Sequence, residues 1–407
     1  MPVPAFDVSW LEFLAGGLFQ AGWGTLALYL LVATQLTIFS VTLYLHRSQA
    51  HRGVDFHPAI AHVFRFWTWL TTSMVTREWV AIHRKHHAKC ETAEDPHSPV
   101  QKGIGTVFWR GVELYREARA DRASIEQYGK GCPNDWIERH LYTPHATMGP
   151  TVLLFASFAL FGFAGVAVWA VQMLWIPFWA AGVVNGLGHW WGYRNFVTDD
   201  TATNLTPWGV WIGGEELHNN HHAFPSSAKF ALRRWEVDIG WGVIRLLQAL
   251  RLARVLRVAP ALNVRPNIHV PDADTLKALL AIRFQAMTDY QRNVLKPALR
   301  EEAAAAGARL RALLPRKLRK GLADDGRWLK PDARQQLQAW VAQRPRIGTL
   351  VEHRRRLAAV LEARSQNASD TLHALQAWCH EAEASGIRVL QEFSARLKGY
   401  SLQSASA

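Results

Sequence analysis

The chain has 407 residues, 49% of them hydrophobic, with a formal net charge of +13 and 19 tryptophans. A soluble domain averages roughly 100–150 residues, so a single small domain is excluded and a membrane domain plus a second unit is expected. Cys90, Cys132 and Cys379 form neither a CxxC pair nor a disulfide framework, which points to a reducing compartment or to indifference to oxidation, and the basic charge with many indoles suits anionic lipid, nucleic acid being the rival partner.

The start MPVPAFDVSWLEFL lacks a basic n-region and carries Asp7 and Glu12 before the first apolar run, so no cleavable signal peptide is expected. From Leu11 to Leu45 the chain is nearly free of charge and ends on His46. A bilayer core takes about 20 apolar residues, so this run predicts one long helix projecting beyond the membrane or a short hairpin turning near Gly16-Gly17. Residues 57–82 mix Val63, Phe66, Trp67, Trp69 and Leu70 with His62, Arg65, Arg77 and Glu78. If the histidines on either side share one site, this segment makes no net crossing and lies on the membrane surface or packs beneath it.

A second apolar block, Met148 to Trp191, is about twice the spanning length and reads as two crossings joined by a tight turn. The expected spans therefore fall within 11–45 and 148–191, and the basic residues near the histidines put their face in the cytosol. Beyond Arg265 the chain turns to Ala, Arg, Leu, Gln and Glu with helical periodicity, which predicts soluble amphipathic helices. This divides the chain into 1–265 and a basic region, 266–407. Its runs, such as Arg316-Lys317-Leu318-Arg319-Lys320 and Arg354-Arg355-Arg356, read as solvated or packing faces ahead of lipid or nucleic-acid contacts.

Three clusters carry the chemistry: His46-Arg-Ser-Gln-Ala-His51, His83-Arg-Lys-His86-His87 and His218-Asn-Asn-His221-His222. Imidazole suits iron, copper, zinc and nickel, so convergent rings point to a transition metal and a redox enzyme. On a helix the first histidine of H-x-x-H-H shares a face with the pair. Adjacent histidines diverge by about 100°, so each pair can feed two ions, which favours a dinuclear centre. His46 and His51 are expected to straddle the same two ions. His189 is a ninth candidate, and Asn185, one turn earlier, is given a water-mediated role. Nine neutral rings leave two divalent ions uncompensated; Glu78, Asp95 and Glu215 lie close in sequence and are candidates to accept the remaining imidazole N–H. His57, His62 and His140 read as structural.

The segments HRSQAH, EWVAIHRKHH followed by EDPHSP, NGLGHWWGYRNF and GEELHNNHHAFP resemble, in order, spacing and flanks, those of membrane fatty acid desaturases of the stearoyl-CoA (acyl-CoA delta-9) type, bacterial branch. The resemblance covers about Thr42 to Trp241. It implies that His46, His51, His83, His86, His87, His189, His218, His221 and His222 ligate two iron ions (Fe2+), with Asn185 attached through water. It also implies an all-α integral membrane protein with three or four transmembrane helices, a cytosolic helical cap holding the metals, and a soluble helical carboxy-terminal region.

The implied reaction is O2-dependent insertion of a cis double bond, at delta-9, into a long-chain saturated acyl-CoA or acyl-lipid. A narrow apolar tunnel would set the position, because methylenes are chemically alike. There is no haem-binding HPGG motif and no cysteine set for a rubredoxin or ferredoxin domain, so electrons are expected from a separate donor such as a ferredoxin. The expected location is the bacterial inner membrane, with the active site facing the cytoplasm and membrane lipid around it. The rival readings are a membrane di-iron fatty acyl or alkane hydroxylase and, in a different class, a membrane-tethered nucleic-acid-binding protein led by its basic tail; nucleic acid is the less favoured partner.

Overall fold

The computed structural model describes residues 9–307, 309–362 and 367–403. Most of the stretch read for a signal peptide, residues 1–8, lies outside them. The chain divides into two compact units, one of residues 1–194 and 200–259, the other of residues 195–199 and 260–407.

In the first unit, Ser9 and Glu12 cap helix α1 (Trp10–Gly16) through reciprocal side-chain and backbone bonds. The chain then reverses, with positive φ at Gly17 and Gln20. Helix α2 (Trp23–Phe39) runs without interruption into a π-helical stretch, Ser40–Ala50. Together they give 28 helical residues, about 42 Å at 1.5 Å per residue, which exceeds a hydrocarbon core of about 30 Å. The first apolar run thus holds both expected features, a turn next to Gly16-Gly17 and a long helix that delivers His46 and His51 at its end.

Helix Met148–Ile176 reverses at Gly162, whose φ of 63° breaks the helical path. Trp169 Nε1 donates to the Pro150 carbonyl at 2.9 Å, and residues 19 apart meet this way only across a hairpin. Glycine is required at the turn, because a Cβ there would also stand 2.5 Å from the Leu14 carbonyl. The second arm continues through a π-helical stretch, Pro177–Gly186, and one 3-10 turn that ends on His189. Among the described residues, Trp23–Ala50 and Met148–His189 are long and apolar enough to cross a membrane.

Between these stretches lie α3 (Pro58–Thr72), started by His57 accepting from Ala59 N–H, and α4 (Thr76–Lys89). Trp69 Nε1 donates to the His145 carbonyl and Trp67 Nε1 to Thr37 Oγ1, each at 3.0 Å, tying α3 to the hairpin and to α2. Leu43, Leu45, Val54 and Ile244 are fully buried in the core, each worth about 1.5–3 kcal/mol. Buried Arg47 holds this core to the third histidine segment. It meets both Asp238 oxygens at 2.9 Å and donates to the Gly213 and Ala228 carbonyls at 2.8 Å. Gly214 (φ 101°) permits that approach, since a Cβ would lie 2.4 Å from Asp238 Oδ1 and 2.5 Å from Arg47 Nη2.

The second unit is helical, with an antiparallel pair that matches Leu262–Val264 to Tyr400–Leu402. Its core gathers Tyr290, Leu350, Trp378, Leu390 and Phe393. The buried phenol of Tyr290 donates to the Leu350 carbonyl at 2.7 Å and the Trp378 indole to the His353 carbonyl at 2.9 Å, as buried Tyr and Trp require. Arg354 is buried against the Ala323 carbonyl and Asp325, and Arg356 pairs with Glu381. Arg355 pairs with Glu352 at 2.8 Å and with Asp325 at 3.7 Å, so all three arginines in that run are engaged inside their own unit.

Candidate metal centre

The π-helical stretch decides where the first two histidines point. A π-helix bonds i to i+5, and His51 N–H donates to the His46 carbonyl at 3.1 Å. The two side chains share a face, their ring centroids 5.0 Å apart. Both enter the same cluster, which corrects the expectation that they straddle two ions.

Nine histidines form two groups able to hold a metal ion, their ligand atoms within 4.8 Å of one another: His46, His51, His83, His87 and His221 in one, His86, His189, His218 and His222 in the other. The adjacent pairs divide, His87 and His221 going to the first group and His86 and His222 to the second. Nε2 atoms face one another at 2.8 Å (His51 and His83), 3.0 Å (His46 and His221) and 2.9 Å (His221 and His87), and at 2.9 Å between His189 and His218. Ligands bound about 2.0–2.1 Å from one ion stand about 3 Å apart, so the donor set fits a metal.

Four carboxylates orient the rings from behind. Glu215 lies 2.7 Å from Nδ1 of His46, Asp95 3.0 Å from that of His86, Glu91 3.0 Å from that of His189 and Asp200 2.8 Å from that of His222. An imidazole that donates Nδ1–H to a carboxylate turns its Nε2 lone pair toward the centre. The buried Nε2 of His222 has no hydrogen-bond partner, and a metal ion would satisfy it.

Asp95 and Glu215 therefore reach rings of the two histidine groups, whereas Glu78 does not. Glu78 pairs with Arg119 at 3.2 Å and Arg122 at 3.4 Å; five residues before His83 on an α-helix, it points about 140° away. Glu91 and Asp200 went unread in the sequence. Their signals were an acid one residue beyond Cys90, within the second box, and the Asp199-Asp200 pair after GYRNF. His97, outside the nine expected ligands, is buried and stacks on His86 with centroids 4.3 Å apart. His57 caps α3, and His140 stacks on Trp136 away from the clusters.

Burial pushes His51, His83, His87, His218 and His221 well below the ordinary imidazole value, and neighbouring rings push them further. His222 falls to about 4, again through burial, which outweighs Asp200. His86 shifts upward because Asp95 overcomes the cost of burial. Burial raises the carboxyls, but the facing imidazoles outweigh it, and Glu91, Asp95, Asp200 and Glu215 all lie below their usual values. Six of the nine rings are thus held as neutral donors, and the four acids behind the site as anions.

A cavity of about 520 Å³ adjoins the clusters, within the range of ligand pockets. Ile38, Val41, Trp79, Val107, Leu114, Val184 and Ile212 make its wall apolar, while His46, His83, His218, Glu215 and Asn185 also line it. Arg116 and Arg119 contribute positive charge to the same lining.

The fatty acid desaturase family model matches residues 21–240, more than half of the chain, and the protein belongs to that family. Among curated relatives, it is 34% identical over 52% of its length to the probable lipid desaturase ADS3.2, chloroplastic, of Arabidopsis thaliana, and spans 57% of that protein. It is 32% identical over 60% of its length to the icosanoyl-CoA 5-desaturase of Limnanthes douglasii, of which it covers 64%. It is 29% identical over 60% of its length to the sn-2 palmitoyl-lipid 9-desaturase of a Nostoc strain, of which it covers 88%.

Proposed function

We propose that this protein is a membrane-bound, O2-dependent di-iron desaturase that introduces a cis double bond, at delta-9, into a long-chain saturated acyl-CoA. Nine imidazoles in two clusters, opening onto an apolar cavity, support this most directly. Two bound irons would supply the oxidising power that removes hydrogen from an unactivated methylene, which side-chain acids and bases lack. The overall change takes one O2, two electrons and two protons, and yields the alkene and two waters.

The protein's own residues bind and orient. His46, His51, His83, His87 and His221 would hold one ion, and His86, His189, His218 and His222 the other, with Asn185 attached through water. The four anions behind the rings match the four positive charges of two divalent ions, and they do so without entering the ligand sphere. The apolar wall would hold the acyl chain and keep water out, fixing one methylene pair near the metals. Arg116 and Arg119 suit the phosphates of CoA or of a phospholipid headgroup equally.

The turn after α1 touches the turn of the long hairpin, with Leu18 N–H donating to the Ala159 carbonyl at 3.0 Å. This supports three crossings, Trp23–Ala50 and both hairpin arms, with α1 as a partial fourth and the histidines at the opposite, cytoplasmic end. A bacterial inner membrane and a ferredoxin-like donor docking on that basic face complete the reading. An acyl-lipid substrate is the second reading, favoured by the names of the Nostoc and Arabidopsis relatives.

The test is the fatty acid profile, with double-bond positions, of cells expressing the chain and its His86→Ala variant. A new alkene that disappears in the variant supports desaturation and fixes the position. An alcohol instead would make the protein a hydroxylase, and pulse labelling of acyl-CoA against phospholipid separates the two carriers.

A further inference from the structure

The helix His218–Ala223 carries rings of both groups, His221 in one and His218 and His222 in the other. Its six residues are too few to hold a helix alone, and Leu217 at its start offers no side-chain cap. The frame comes from outside the helix, through Asn220, the residue just before the adjacent histidine pair.

Asn220 is buried, as are Asn204 and Glu236. The Asn220 backbone N–H, of the kind that a first helical turn leaves unpaired, donates to Asn204 Oδ1 at 3.1 Å. A side chain 16 residues back therefore acts as the missing cap. Asn204 Nδ2 returns the contact, donating to Asn220 Oδ1 at 3.0 Å. Asn220 Nδ2 donates in turn to the Phe230 carbonyl at 2.9 Å and to Glu236 Oε2 at 2.8 Å. That carboxylate oxygen also accepts from the Leu232 and Arg233 N–H groups at 2.9 Å, and Glu236 Oε1 accepts from the Tyr193 phenol at 2.8 Å. Backbone bonds of 2.9 and 2.7 Å join Tyr193 to Asn204 and close the circuit.

We propose that Asn220, Asn204, Glu236 and Tyr193 are positioning residues that set both metal subsites at once, by fixing the helix that supplies each of them with a ring. The inference rests on the metal reading given above. All four residues belong to the first unit, and none stands in either histidine group, so they act through the three rings alone. A buried amide with both donors and its oxygen engaged has one orientation, because turning it would strand polar groups away from water. Asp95, by contrast, backs His86, a ring of the second group, and serves that subsite.

Cobalt(II) titration of the purified full-length protein in detergent, followed by the ligand-field spectrum, tests this. Asn220→Asp keeps the size and an acceptor oxygen, but it loses both side-chain donors and faces Glu236 with a like charge. It should bind both ions about 10-fold more weakly, the lower end of what losing an outer partner of a ligand costs, and give an altered spectrum at saturation. Glu236→Gln, which keeps an acceptor for Asn220, should bind both ions with the native spectrum. Asp95→Asn should weaken one ion. Phe161→Ala hollows the separate core around Leu26 and Val168; it should lose thermal stability and keep both ions and the native spectrum.

Native affinity and spectrum in Asn220→Asp overturn the proposal, and so does loss of one ion alone. Equal loss of both ions in Phe161→Ala also overturns it, because destabilisation would then explain the effect. If Asn220→Asp does not fold, Tyr193→Phe decides: without the phenol on Glu236, both ions should bind about 3-fold more weakly, as the loss of one hydrogen bond implies, and unchanged binding overturns the proposal. A wild-type protein that takes up no cobalt removes the metal reading itself, and the proposal with it.

Discussion

Glu215 Oε1 lies 2.7 Å from Nδ1 of His46, and Thr42, four residues back along the same helix, donates its hydroxyl to that oxygen. A neutral amide at position 215 would keep the shape but lose the anion that fixes the ring. Glu215→Gln should lower turnover and metal affinity by about 10–100-fold. Glu78→Gln, whose carboxylate faces Arg119 and Arg122, should retain the full metal complement. Metal analysis of both purified variants checks the pair; equal loss would return Glu78 to the centre.

His86→Ala removes a ring of the second cluster and leaves buried Asp95 without its imidazole partner. It should abolish product and weaken metal retention. His57→Ala removes only the cap of α3 and should cost about 0.5–2 kcal/mol of stability with product intact. Fatty acid analysis beside thermal unfolding separates the two effects.

Arg47 is 1% exposed and bound to both oxygens of Asp238. Arg47→Met would strand a buried carboxylate, which typically costs about 3–5 kcal/mol. The variant should lose thermal stability and expression together, and a native unfolding temperature in detergent would contradict the arrangement.

Metal-free protein should lose stability on mild acidification. His51, His83, His87, His218 and His221 stay neutral in the fold well below their ordinary 6.5. Below pH 6.5 the unfolded chain therefore takes up protons that the folded one refuses, and stability rises with pH in that window. The carboxylates behind the rings, lowered in the fold, add stability that is present above their unfolded values near 4 and is lost below them. The unfolding temperature should fall from pH 7.5 to pH 5.5, above the range in which the carboxylates behind the rings titrate; a flat profile there would argue against buried neutral rings.

Much of this was legible in the sequence because it is local. The H-x-x-H-H spacing and the 100° step between neighbours told that His86 and His87 part company, as do His221 and His222. The spacing of His46 and His51 was read with an α-helix in mind. No residue in Ser40–Ala50 has an intrinsic preference for the wider turn, which is held by contacts such as Arg84 on the Gln49 and Ala50 carbonyls.

Proximity along the chain served well for Asp95 and failed for Glu78, because what matters is helix face and not distance in sequence. Asp200 was beyond reach for another reason. It meets His222 across 22 residues, through a stretch whose tip belongs to a second unit, and no pattern within either segment encodes that pairing.

The wide turn that carries His46 and His51 amounts to an α-helix with one residue too many. Deleting Ser48 or Gln49 would let the stretch close as an ordinary helix, and position 51, moved to i+4, would still look the same way. Everything after it would be drawn back by about 1.5 Å and rotated by about 100°, and the pairing of Val54–Phe56 with Ala253–Val255 would be the first to slip. The surplus residue acts as a phase shifter: it lets the chain present two rings to one point and still enter the next element in step.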